Sequence, residues 1–130
     1  MAGKVDAIRE RYQRFSQGDL ENALDLWSDD FVWEGPNAEG LPGAGRHDGK
    51  DAAIQVLQQT VGAYDKFELT PDEFVEEGDT VVVLAHTDLA KDDRSASVPV
   101  VHVWRYRGEE IIRLQLLTDT LESARVLGVV

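Results

Sequence analysis

Residues Ser95 to Asp119, SASVPVVHVWRYRGEEIIRLQLLTD, constrain the fold more than any other stretch, because they spell a long β-hairpin. Successive side chains on a strand point to opposite faces, so Ala96, Val98, Val100, His102, Trp104 and Tyr106 share one face. The opposite face is polar at both ends and apolar only around Val101 and Val103. A turn at Arg107-Gly108-Glu109 returns the chain, and Ile112, Leu114, Leu116 and Thr118 then share a face on the second strand. Two apolar faces of this length need a partner layer. A single ionisable group, His102, stands in the middle of one of them.

The rest of the chain supplies that layer. Val5, Ile8, Tyr12 and Phe15 recur at helical spacing, and Gly18 ends that helix. Asp19 is placed to cap a second helix with Leu20, Ala23, Leu24 and Trp27 inward. Phe31-Val32-Trp33 reads as a short strand. Glu34 to Gly49 holds five of the eleven glycines and two of the four prolines, which marks a long loop of the lid or rim kind. Asp51 is expected to cap a third helix with Ile54, Leu57 and Val61 inward. Phe67 to Val75, interrupted by Pro71, reads as an edge strand or a bulged one. Thr80 to Thr87 is a plain apolar strand, and Leu121 to Leu127 a short terminal helix. Helices grouped ahead of an antiparallel meander indicate one α+β domain over residues 1–130, with three N-terminal helices on one face of a strongly curved sheet. Such a cone encloses a cavity wherever side chains do not fill it, and a cavity is the default place for an apolar ligand.

Composition removes whole classes of function. The net charge of −12, with only 13 scattered basic residues, disfavours nucleic acid and anionic membrane surfaces. No apolar run approaches the roughly 20 residues that span a bilayer, and the charged N-terminus lacks the apolar core of a signal peptide. A cytosolic protein is expected. The absence of cysteine excludes disulfides, thiolate metal sites and a cysteine nucleophile. No phosphate-binding loop, dinucleotide fingerprint, nucleophile elbow or HExxH motif occurs, so no cofactor is expected. The three histidines have no metal-ligand spacing, and no metal is expected either.

The segments FSQGDLENALDLWSDDFVWEGP, GRHDGKDAAI and VHVWRYRGEEIIRLQLLTDT occur in this order across almost the whole chain. They resemble the SnoaL-like branch of the NTF2-like superfamily, which includes ketosteroid isomerases, polyketide cyclases and limonene-epoxide hydrolases. The resemblance implies a conical pocket between helices and sheet, and a homodimer through the outer sheet face, with Val101, Val103, Arg105 and Arg107 as contacts. It also implies which chemistries are missing. The general-base aspartate of the isomerases falls on Gly35, and their oxyanion-hole aspartate on His102. Their oxyanion-hole tyrosine lies near Tyr12, one residue out of register. Of the hydrolase set, one aspartate matches Asp88, but the arginine falls on His86 and the second aspartate on Leu116. The cyclases' acid/base chemistry remains compatible with a histidine, which titrates near neutrality.

His102 is therefore the candidate catalytic residue, as the acid/base of the cavity or its hydrogen-bond donor. Its bland alternative is a half-buried histidine satisfied by backbone or water. Desolvation there should favour the neutral imidazole. Tyr12, Phe15, Trp33, His86, Trp104 and Leu116 are the candidate ligand-binding residues. For Tyr12, Trp33 and Trp104 the alternative is plain core filling, and for His86 a rim or core histidine. His47, in the glycine-rich loop, reads as an exposed loop residue. Glu34, the carboxylate nearest the missing base, should be turned away by strand alternation. The expected function is binding of a small hydrophobic or polycyclic molecule, with cofactor-free isomerisation or cyclisation centred on His102. The alternative is a non-catalytic ligand-binding or dimerisation module.

Overall fold

A computed structural model describes residues 3–130. Helix α1 (Lys4–Ser16), the single turn α2 (Leu20–Ala23) and strand β1 (Trp27–Glu34) open the chain. Strand β2 (Arg46–Asp48) and helix α3 (Lys50–Gly62) follow the glycine-rich loop. Strands β3 (Lys66–Glu77), β4 (Thr80–Lys91), β5 (Arg94–Arg107) and β6 (Glu110–Thr118) form the meander, and helix α4 (Thr120–Leu127) ends it. All six strands belong to one sheet in the order β2-β1-β6-β5-β4-β3. Pairing is antiparallel throughout except between β1 and β6, which run parallel. The sheet curls around the helices in an α+β cone, the fold class expected from the sequence.

The apolar stripe of α1 behaves as its spacing predicts: Ile8 and Tyr12 are buried, and Val5 and Phe15 pack against the same core. Gly18, at φ +77°, reverses the chain where a side chain would be strained. The Asp19 carboxylate then accepts from the Asn22 N–H at 3.3 Å and caps α2. Three expectations ahead of the meander need correction. First, Trp27 is not helical: the backbone leaves α2 after Ala23, and Trp27 opens β1, stacked face to face on Phe31 with centroids 4.0 Å apart. Burial of both rings on the sheet outweighs the helical spacing of Trp27. Second, the N-cap of α3 is Gly49 at φ +98°, and Asp51 lies within the first turn, where its charge suits the helix dipole. Third, part of the expected loop is strand, because Arg46–Asp48 pairs with Val32–Glu34.

Two bulges in the meander set which of its residues face inward. Between Arg105–Arg113 and Tyr106–Ile111 the register of β5 and β6 shifts by one. Ile111 therefore points into the core at 1 % exposure while Ile112 is only half-buried, the reverse of strict alternation. Leu114 and Leu116 resume the inward face. The second bulge, at Asp72 beside Pro71 in edge strand β3, follows from a proline that cannot donate to the ladder. The resulting inner face carries Val81, Val83, Ala85, Val100, Trp104 and Leu114, all buried. The outer face leaves Val75, Leu84 and Leu117 exposed.

At the C-terminus Asp119 caps α4 by accepting from Glu122 N–H at 3.1 Å, and Gly128 closes it at φ +77°. Arg94 of β5 donates from Nε to the Val126 carbonyl at 2.8 Å and ties the helix to the sheet.

Candidate functional site

A cavity of about 120 Å³ opens between α1, α3 and the concave face of the sheet. A single buried water occupies roughly 10–15 Å³ on a comparable measure, so the space suits a small organic molecule. Its walls are mostly apolar and aromatic. No aspartate or glutamate lines it, and Arg11 is its one charged lining residue among the described residues.

Strand alternation brings His102 onto this wall, directly opposite Val83 on β4 and Leu116 on β6. Its Nδ1 lies 2.5 Å from the Tyr12 hydroxyl, contributed by the buried stripe of α1. The same hydroxyl oxygen accepts the Trp104 indole N–H at 3.0 Å. Trp104 is donor-only, so the Tyr12 proton is free to point at His102 Nδ1, which then accepts. A neutral imidazole accepting at Nδ1 carries its proton on Nε2. No described residue hydrogen-bonds Nε2, and it is not one of the sealed, unpartnered polar atoms, Ser28 Oγ and Arg113 Nε. Nε2–H is thus available to the cavity.

The electrostatics keep this triad neutral. His102 is 6 % exposed, and burial with no acidic neighbour lowers its pKa to about 4. Burial also pushes the Tyr12 phenol well above its ordinary range, against a smaller opposing effect of the Trp104 hydrogen bond. Full proton transfer along the chain would create a buried imidazolium or tyrosinate, each costly in apolar surroundings. The geometry favours a donor that meets partial negative charge on an oxygen over a base that removes a proton outright.

The other sequence candidates divide clearly. Phe15, Trp33, Trp104 and Leu116 line the cavity with Tyr12 and His102. Trp33 is buried, and its Nε1–H donates to the Gly43 carbonyl at 2.9 Å, pinning the glycine-rich loop over the cavity. His86 does not reach the cavity. It lies on the outer face of β4, paired across the sheet with Pro99, and its Nδ1 meets the Asp72 carboxylate at 2.8 Å. The hydrogen bond to Asp72 raises its pKa against a smaller desolvation effect. The parity shared with Val82 and Leu84 is an outward parity, which an all-apolar strand does not disclose. Asp88 shares it. Glu34 is outward too and pairs with Arg113. His47 is held by the Ala44 carbonyl at 3.0 Å.

Gly35, where the isomerase base would stand, packs against the loop: a Cβ there would sit 1.7 Å from the Gly43 oxygen. Among the lining residues that the sequence reading did not single out are Arg11 and Thr87. Arg11 precedes Tyr12 on α1, and its guanidinium is held by both oxygens of Asp25, at 3.0 and 3.1 Å. Thr87 lies on the inner face of β4, 7 % exposed, a placement set by pairing with β3 and β5 and by no pattern within the strand itself.

The sequence matches the SnoaL-like domain over residues 8–114. The chain belongs to the SnoaL-like family. Solved structures share this fold over nearly the whole chain. An NTF2-like protein of unknown function from Burkholderia pseudomallei superposes with a TM-score of 0.87 at 30 % identity, covering 98 % of both chains. TerC, co-crystallised with polyporic acid, gives 0.86 at 26 % identity, with 95 % of this chain and 97 % of TerC covered. IdmH from Streptomyces antibioticus, a candidate polyketide cyclase, gives 0.76 at 23 % identity over 95 % and 97 % of the two chains, a likeness of fold. Comparison with curated proteins finds no match.

Proposed function

We propose that this SnoaL-like protein binds a small, largely apolar ring compound in the cone, and that His102 donates a hydrogen bond from Nε2 to an oxygen of that compound. The observation carrying this reading is a buried histidine on an apolar wall whose Nδ1 is satisfied by Tyr12 and whose Nε2 has no partner among the described residues. A buried polar group without a partner is costly, and a ligand oxygen would remove that cost. That TerC was crystallised with polyporic acid makes oxygenated aromatic compounds the first class to try.

The catalytic form of this reading is a cofactor-free isomerisation or cyclisation in which His102 stabilises negative charge developing on a carbonyl oxygen, as preorganised donors do in dry sites. Binding without turnover is the second reading, and it has its own support: among the described residues no carboxylate lines the cavity to serve as base, and Gly35 leaves no room for one. Both readings place the protein in the cytosol as a homodimer. The outer stripe in which Leu84, Val101 and Leu117 stand directly opposite one another across β4, β5 and β6 is the surface proposed for the second copy.

A thermal-shift screen of steroids, aromatic polyketides and terpenoids tests the binding reading, because a ligand of the native state raises Tm by mass action. At least one class should stabilise the protein, and His102→Ala should lose most of that shift. Equal shifts in both proteins would remove His102 from the site.

A further inference from the structure

The polar groups on the cavity wall are not equally committed. Thr60 Oγ1 donates to the Val56 carbonyl at 2.7 Å, Thr118 Oγ1 to Pro99 at 2.9 Å, and Ser123 Oγ to Asp119 at 2.9 Å. Thr87 Oγ1 has no partner among the described residues, although the residue is buried at 7 % exposure. It is not sealed off either, since Ser28 Oγ and Arg113 Nε are the sealed atoms without partners. Its hydroxyl therefore opens on the cavity that it lines.

Register fixes where that hydroxyl stands relative to His102. Val83 of β4 faces His102, and Thr87 faces Val98. Four residues of strand, or about 13 Å, separate the two positions. Both side chains lie on the inner face, and the wall between them is apolar, with Ala85 on β4 and Val100 on β5.

We propose that Thr87 forms a second polar subsite of the cone, so that the ligand is an elongated aromatic compound with an oxygen function at each end, one met by His102 and the other by Thr87. This rests on the ligand-binding reading above. A hydroxyl both donates and accepts, so the Thr87 end takes a phenol or a carbonyl alike, whereas the fixed Nε2–H at the other end requires an acceptor. A ligand bearing one oxygen leaves one of the two groups unpaired.

Isothermal titration with 4-hydroxybiphenyl and 4,4′-dihydroxybiphenyl reads this directly. The diol should bind the native protein about ten-fold more tightly, against the roughly two-fold that its symmetry alone supplies, since one added hydrogen bond to an otherwise unpaired buried group is of that size. Thr87→Val, which keeps the shape, should reduce the diol's advantage to the symmetry factor and leave 4-hydroxybiphenyl unchanged. Thr87→Ser, which keeps the hydroxyl, should retain the preference. If the mono-ol binds and the diol gains no more than the symmetry factor, or gains as much in Thr87→Val, the second subsite is overturned while the cavity reading stands. If neither compound binds, both fall.

Discussion

Tyr12 and His102 are ninety residues apart in sequence, yet the phenol hydroxyl and imidazole Nδ1 meet at 2.5 Å in the interior. One contact joins helix α1 to the central strand of the meander, and it decides which imidazole nitrogen keeps the proton. The hydroxyl that satisfies Nδ1 is itself oriented by the Trp104 indole. The site is therefore a fixed dipole aimed at an apolar space, built without a formal charge.

Removing that hydroxyl should be felt twice. Tyr12→Phe leaves both the Trp104 N–H and His102 Nδ1 without partners, and unpaired buried groups cost about 1–3 kcal/mol each. We expect a loss of about 2–3 kcal/mol in urea unfolding, with the ring packing of Tyr12 against Phe74 and Trp104 preserved. A loss below about 0.5 kcal/mol, the range of ordinary surface substitutions, would mean that the hydroxyl is not the hub.

Stability should depend on pH through His102 in a defined direction. Its pKa is about 4 in the folded protein, against an ordinary value near 6.5 once unfolded. The unfolded chain therefore takes up the proton first. Stability contributed by the neutral histidine is complete above about pH 6.5 and is lost as pH falls toward 4, by up to about 3 kcal/mol. Carboxylates titrate over part of the same window, so the measurement is the difference between the native protein and His102→Gln, followed by urea unfolding from pH 7.5 to 4. The difference should shrink on acidification across that window. A constant difference would contradict the burial argument.

Gly35→Asp asks whether the isomerase base can be restored. Its Cβ would overlap the Gly43 carbonyl at 1.7 Å, and that carbonyl also holds Trp33. Forcing the loop away should destabilise the protein by more than about 2 kcal/mol, a cost typical of overpacking with backbone displacement. No isomerisation of a 3-keto-Δ5 steroid should appear. A variant of native stability with measurable isomerase activity would show that the loop yields and the alignment governs.

The outer stripe carries a separate expectation. Leu84 and Leu117 are 39 % and 49 % exposed, and an exposed apolar row across three strands is poorly explained in a lone copy. Sedimentation should give a dimer for the native chain and a monomer for Leu84→Lys combined with Leu117→Lys, with little change in Tm measured at equal monomer content. A native monomer would withdraw the homodimer from the proposal.

Much of the architecture was legible because period carries direction. The alternation through Val98, Val100, His102 and Trp104 placed all four on the concave face, and the helical spacing of Ile8 and Tyr12 placed these opposite them. The asymmetry of Glu34 and Trp33 was legible for the same reason. What escaped depended on register between strands. Thr80 to Thr87 is apolar on both faces, so nothing within it tells His86 from Thr87, and only pairing with β3 and β5 turns the histidine out and the threonine in. The bulge that buries Ile111 in place of Ile112 is likewise a property of two strands and a turn. Trp27 followed a helical spacing that aromatic stacking on Phe31 overrides. The Tyr12–His102 bond needed three dimensions altogether, since no local pattern links residues ninety apart.

The most direct measurement is the long-range ¹H–¹⁵N correlation spectrum of the histidine side chains at pH 7, before and after addition of 4-hydroxybiphenyl. His102 should show a protonated Nε2 and an unprotonated, hydrogen-bonded Nδ1, should not titrate until the pH falls well below 6, and should shift at Nε2 when the probe binds. The opposite tautomer, titration near pH 6.5, or an Nε2 signal indifferent to a bound probe would contradict the account of His102 as the donor that faces the ligand.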